Sequence, residues 1–128
     1  MSGIRYLTAG QMVRIAELAT GSTPMIRDRG QLASAAERPS SSMFGAEMYP
    51  GVLDKAAATF HSIARFHPLV DGNKRMAWLA AAVLCELNGL EVIATNDEAF
   101  DLTMAVARGE YDDVPELARA LEPLIRTV

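Results

Sequence analysis

The sequence predicts an all-α fold of about six helices, and three observations carry that expectation. Apolar residues recur at helical spacing through most of the chain, cap and stop signals bracket the periodic stretches, and the connections between them are short. Half of the 128 residues are apolar while aromatics make up only 6%, which suits closely packed, alanine-rich helices better than a β-sandwich. A chain of this length fits one domain, residues 1–128, and can bury a core without disulfide or metal staples.

Thr8 is placed to cap a first helix that ends near Gly21, with Met12, Ile15, Ala16 and Ala19 along one face. Asp28 caps a short second helix through Leu32, Ala35 and Ala36, halted before Pro39. Residues 39–50 hold three serines, a glycine and two prolines and read as a loop, either a surface connection or a flap over a site. A third helix follows over residues 52–66, where Leu53, Ala56, Ala57, Phe60, Ile63 and Ala64 make a buried stripe. The fourth starts near Asn73 and stops at Gly89; it is apolar on most sides and is therefore expected at the centre of the bundle. Residues 91–94 read as a very short extended segment. Thr95 and Glu98 then form a capping box for a fifth helix ending at Gly109, and a last helix begins at Asp113 or Val114 with Pro115 in its first turn.

Charge and cysteine usage exclude several classes. A formal net charge of -4 and a pI near 5.1 leave no broad basic face for nucleic acid. Cys85 is the single cysteine, so an internal disulfide and a cysteine-based zinc site are both excluded, and a reducing cytoplasm is the simplest compartment. The N-terminus Met1-Ser2-Gly3-Ile4-Arg5 lacks the apolar core of a signal peptide. The longest apolar stretch, residues 76–85, is roughly half of a membrane span.

Chemistry concentrates in His67-Pro68-Leu69-Val70-Asp71-Gly72-Asn73-Lys74-Arg75, between the two most strongly patterned helices. Pro68 cannot continue the third helix, which puts His67 at its C-terminal end. Gly72 and Asn73 turn the chain into the fourth helix, whose first amides and positive dipole end form an anion site before any side chain is counted. Gly72 allows a phosphate to approach the backbone, Asn73 offers an amide donor, and Lys74 and Arg75 add two positive charges. Cations in a first helical turn oppose the dipole, a conflict that a bound anion resolves. Asp71 is the one negative group there and suits Mg²⁺, which takes one or two carboxylates plus substrate phosphates. Histidine is the side chain that takes up a hydroxyl proton near neutral pH, which makes His67 the candidate base.

These residues resemble the Fic/Doc family motif His-Pro-Phe-x-Asp/Glu-Gly-Asn-Gly/Lys-Arg, and most closely its death-on-curing (Doc) branch, which carries lysine where Fic enzymes carry glycine. Ile63-Ala64-Arg65 before the histidine, Asn88-Gly89-Leu90 after the fourth helix, and Asp101-Leu102-Thr103 and Gly109-Glu110 extend the resemblance over roughly residues 5–125. It implies an all-α fold in which His67 deprotonates a target hydroxyl, Asp71 holds Mg²⁺, and Gly72, Asn73, Lys74 and Arg75 contact the phosphates of ATP. It further implies a cytoplasmic toxin paired with an antitoxin chain. Such a toxin transfers the γ-phosphate of ATP to a hydroxyl of elongation factor Tu and so inhibits translation. Developing charge would be held by Lys74, Arg75 and the helix start. Transfer of AMP instead of phosphate, and a catalytically inactive binding protein, are the alternative readings.

Departures from the motif are informative. Leu69 replaces the phenylalanine that anchors the loop, which implies a shifted rather than a broken loop. Trp78 stands where AMP-transferring members carry a second arginine and reads as packing. No glutamate is followed by glycine or asparagine, so the family's built-in inhibitory helix is not expected and control falls to a separate chain. Elsewhere, His61 reads as exposed, Arg65 as a surface or phosphate-side cation, Cys85 as a core thiol, and the run Glu110-Tyr111-Asp112-Asp113 as a solvated turn. If Lys74 sets the orientation of the nucleotide, Lys74→Gly converts phosphate transfer into AMP transfer. Labelled ATP reads this out, and unchanged transfer from the γ position would remove that role from the lysine.

Overall fold

The caps expected from the sequence start the helices they were assigned to. The structure, a computed structural model, describes residues 3–128; the reading of the N-terminus as leaderless falls partly on Met1 and Ser2, outside the described residues. Helix α1 (Ala9–Thr20) begins where the Thr8 hydroxyl accepts from the Gln11 N–H at 3.1 Å, and it ends at the left-handed Gly21. Asp28 caps α2 (Arg29–Glu37), and a 3-10 turn (Arg38–Ser40) follows. The expected loop over residues 39–50 contains an antiparallel hairpin, β1 (Ser42–Met43) with β2 (Ala46–Glu47). Phe44 and Gly45 turn it with φ of 52° and 80°, the two positive values that a two-residue hairpin turn demands.

Helices α3 (Val52–Phe66) and α4 (Asn73–Leu87) are joined by the motif loop. Strand β3 (Leu90–Val92) realises the expected extended segment, and Thr95 and Glu98 make the capping box of α5 (Asn96–Ala107). Helix α6 (Val114–Leu121) carries Pro115 in its first turn. After a 3-10 turn (Glu122–Leu124), β4 (Ile125–Thr127) pairs antiparallel with β3, a strand too short to mark in the sequence. Its pairing is reinforced by Arg126, which donates to both oxygens of Glu91 at 3.0 Å. The fold is thus all-α, with six α-helices and two ribbons of two or three residues per strand among the described residues.

The centre of the bundle is α3, not α4 as the apolar pattern suggested. Ten consecutive residues of α3, Lys55–Ala64, are buried, and α2, α4, α5 and α6 all pack around it. Helices α3 and α4 pack most closely on each other, and Ala56, Ala57, Ala58 and Ala64 on α3 and Ala77, Ala80 and Ala81 on α4 are buried in the core together with Phe60, Ile63, Met76 and Leu84. Each of those large side chains contributes about 2 kcal/mol by leaving water. Trp78 meets Phe60 edge-to-face at 5.9 Å between ring centroids, so the indole is packing, as expected. Burial also pushes the Cys85 thiol up to about 12, which leaves it an inert core group.

What the sequence pattern hid is that the polar residues of α3 are paired internally. Lys55 is 1% exposed; its ammonium donates to Glu47 at 2.9 Å and to the Tyr49 carbonyl, and lies over the Tyr6 ring. It therefore fastens the base of the hairpin to the core. His61, expected on an exposed face, is buried between Arg38 and Asp112. A guanidinium only donates, so His61 Nδ1 must accept from Arg38 Nη1 at 2.9 Å, which leaves Nε2–H to donate to Asp112 Oδ1 at 3.0 Å. Arg38 also donates to Tyr49 Oη and Ser62 Oγ, both at 2.9 Å. Arg65 is not a free surface cation: it forks onto Asp112 at 2.9 and 3.3 Å and donates to the Ala107 carbonyl. Asp112, read as part of a solvated turn, thus joins α3 to the connection between α5 and α6.

Burial lowers the His61 pKa against the opposing pull of Asp112, and hydrogen bonds from His61 and Arg65 lower that of Asp112. A histidine held neutral in the fold contributes stability that is complete above the unfolded value near 6.5 and is lost as pH falls toward its lowered folded value. The Asp112 contribution is complete above 3.8 and lost below it, outside that window. The urea midpoint is therefore expected to drop between pH 7 and pH 5, and His61→Gln to flatten the drop. Equal pH slopes for parent and variant would remove His61 from the titration.

Candidate active site

His67 is the C-cap of α3 and lies in the left-handed region, at φ 51° and ψ 65°. Glycine is the usual residue there; an L-residue costs roughly 1–2 kcal/mol. The conformation sends the chain away from the α3 axis, and Pro68 and Leu69 plunge into the core, with Leu69 only 1% exposed. Leucine therefore fills the anchoring role of the motif phenylalanine. Across from the loop runs residues 25–28: Arg27 and Asp28 N–H donate to the Pro68 carbonyl at 2.8 and 3.1 Å, Val70 N–H donates to the Met25 carbonyl at 2.9 Å, and Ile26 bridges Leu69. The loop is thus zipped to the segment before α2, a partner about forty residues away that no local pattern announces.

Asn73 closes the loop from the other side. Its side-chain Oδ1 accepts from Leu69 N–H and its Nδ2 donates to the Leu69 carbonyl, both at 2.9 Å and both buried. The side-chain amide read as a phosphate donor is thus hydrogen-bonded to the chain's own backbone, where it acts as a lock. Gly72 needs no phosphate to explain it either. Its φ is +87°, and a Cβ would come within 2.6 Å of Thr20 Cγ2, so α1 packs directly on the turn.

Beyond that turn, α4 starts without a side-chain cap, unlike α1, α2 and α5. The amides of Asn73, Lys74 and Arg75 have no acceptor, and Lys74 and Arg75 pair with no carboxylate, among the described residues. Both basic side chains are exposed. Asp71 is exposed too; one oxygen accepts from Gly72 N–H at 2.9 Å and the other is free. These groups and His67 line one open cleft of about 620 Å³. Thr20, Ser22, Thr23, Pro24 and Met25 form the facing wall, residues the sequence did not single out because they belong to an unpatterned connection. No hairpin residue lines this cleft.

Among the described residues no three His, Cys, Asp or Glu side chains gather into a metal cage. A lone exposed carboxylate beside an uncapped helix start suits a cation that takes most of its ligands from phosphates and water, which is how Mg²⁺ binds with nucleotides. Asp71 fits that role.

An all-helical chain whose left-handed histidine shares a cleft with a bare, basic helix start has the architecture of a protein-modifying Fic fold. It belongs to the Fic/Doc family: the Fic/DOC family profile matches residues 4–85. On the Doc side of that family, the chain is 40% identical over 109 residues to Toxin Doc of Mycolicibacterium smegmatis (strain ATCC 700084 / mc(2)155), a match that covers 84% of each chain.

The lock at Asn73 has a measurable consequence. Asn73→Ala leaves the buried Leu69 N–H and carbonyl unpaired, and is expected to destabilise the fold by roughly 2–4 kcal/mol. Urea denaturation checks this; a variant as stable as the parent would show that the amide does not hold the loop.

Proposed function

We propose that the chain is the toxin of a toxin–antitoxin pair that transfers the γ-phosphate of ATP to a Ser or Thr hydroxyl of a target protein, by family resemblance elongation factor Tu, and so inhibits translation. The observation that carries this reading is the convergence of His67, Asp71, Lys74 and Arg75 on one cleft at the start of α4. Membership of the Doc branch supports it. The triphosphate lies along the free amides of α4, with Lys74 and Arg75 beside it. His67 takes the proton of the acceptor hydroxyl as its oxygen bonds to the γ-phosphorus, and the bond from that phosphorus to the β-phosphate oxygen breaks to release ADP. Charge that develops on the transferred group meets donors already in place, so little reorganisation is required. Asp71 holds Mg²⁺, which when bound neutralises phosphate charge.

Phosphate transfer is favoured over AMP transfer by two residues. Lys74 occupies the Fic glycine position, and Trp78, where a second arginine would stand, is packed on Phe60. Exposed Met25 and Val70 give the cleft an apolar wall that an antitoxin segment covers. The pair acts in the cytoplasm, where ATP and the translation machinery are. No helix among the described residues is long and apolar enough to cross a membrane.

The test incubates the purified chain with elongation factor Tu and ATP labelled at either the α or the γ position. Label is expected on the target from γ-labelled ATP only, and His67→Ala is expected to abolish it while remaining folded. Label from α-labelled ATP would assign AMP transfer, and undiminished transfer by the folded His67→Ala variant would remove the base.

A further inference from the structure

The left-handed histidine is bracketed by two carbonyls, and one side chain takes both. Arg27 Nη2 donates to the Phe66 carbonyl and Arg27 Nε to the His67 carbonyl, each at 2.7 Å. Its backbone N–H takes the next carbonyl, that of Pro68, at 2.8 Å. Three successive acceptors around His67 thus end on a single residue 39–41 positions earlier in the chain. The first two are the acceptors that matter for the backbone of His67: the Phe66 carbonyl marks the peptide plane before its Cα and the His67 carbonyl the plane after it. Fixing both planes fixes φ and ψ between them. A planar guanidinium presents its donors in a fixed fork and so sets both planes together; an ammonium on a flexible stem has no such fixed donor geometry.

We infer that Arg27 is a positioning residue that clamps His67 in its left-handed conformation and so aims the imidazole into the cleft. The inference rests on the proposed role of His67 as base. Arg27 is committed to backbone: no carboxylate pairs with it among the described residues, and it is not among the residues lining the cleft, where Met25 and His67 are. Its effect on a reaction would therefore pass through the histidine rather than through nucleotide contact. The bond lengths also fit a firm grip, at the short end of the range for a charged donor.

The test compares the full chain with Arg27→Ala and Arg27→Lys by two readouts. In the labelled-ATP transfer assay, Arg27→Ala is expected to lower kcat roughly 100-fold, as an ångström-scale misplacement of a base does, with KM for ATP within about threefold of the parent. Arg27→Lys, which restores charge but not the fork, is expected to recover little. Added guanidinium at millimolar concentration, below its denaturing range, is expected to raise the Arg27→Ala rate and to leave Arg27→Lys unchanged. The second readout needs no reaction: the NMR signals of the His67 backbone amide and ring are expected to move or broaden in both variants while core methyl signals stay in place. An Arg27→Ala chain with parental kcat, or with a raised KM and parental kcat, overturns the clamp. So do unshifted His67 signals, whatever the activity. Failure of the parent itself to transfer label would instead count against the proposed function, and the NMR comparison would still decide the clamp. Should Arg27→Ala not fold, the same criteria are read from Arg27→Lys.

Discussion

A left-handed backbone at one histidine sets the geometry of the whole site. Helix α3 is the central rod of the bundle, and α4 packs along it. For α4 to begin beside the end of α3 with its amides open, the chain must leave α3 sharply, drop Leu69 into the core and turn again at Gly72. Glycine at position 67 would make the first turn without strain, but it would carry no imidazole. The cost of a left-handed histidine is therefore built into the site. It is met by bonds on every side: residues 25–28 zip to the loop, Asn73 locks its far end, and Thr20 packs against Gly72.

A second framework holds the other side of α3. Arg38, His61, Asp112 and Arg65 link the 3-10 turn, the middle of α3 and the connection before α6, and Lys55 fastens the hairpin. These groups stand apart from the cleft, and they leave its basic residues alone: Arg38, Lys55 and Arg65 are each paired with acceptors, whereas, among the described residues, Lys74 and Arg75 pair with none. The same chain thus spends its polar side chains in two ways. On α3 they are satisfied inside the protein and stabilise it. At the start of α4 they are left open, which is unfavourable for the helix alone and consistent with an anionic ligand.

Much of this was legible in the sequence. Caps at Thr8, Asp28 and Thr95 mark helix starts because a side-chain oxygen must meet free amides there, and the contiguous run from His67 to Arg75 brings the site together by chain connectivity alone. Four things were not legible, each because a distant partner decides it. His61 and Lys55 look like solvent-facing residues until Arg38, Asp112, Glu47 and Tyr49 are placed against them. Asn73 looks like a ligand donor until Leu69 folds back onto it. Arg27 sits in an unpatterned connection, and only the fold shows that it reaches the carbonyls beside the histidine. Ile125–Thr127 lacked any signal as a strand because three residues show no period; pairing with β3 makes them one.

The most direct measurement is a crystal structure of the chain with a non-hydrolysable ATP analogue and Mg²⁺. The account predicts phosphate oxygens within hydrogen-bonding distance of the Lys74 and Arg75 amides, the metal on the free oxygen of Asp71, and the His67 ring facing the terminal phosphate. Phosphates bound elsewhere, or a His67 ring turned out of the cleft with the nucleotide in place, would contradict it.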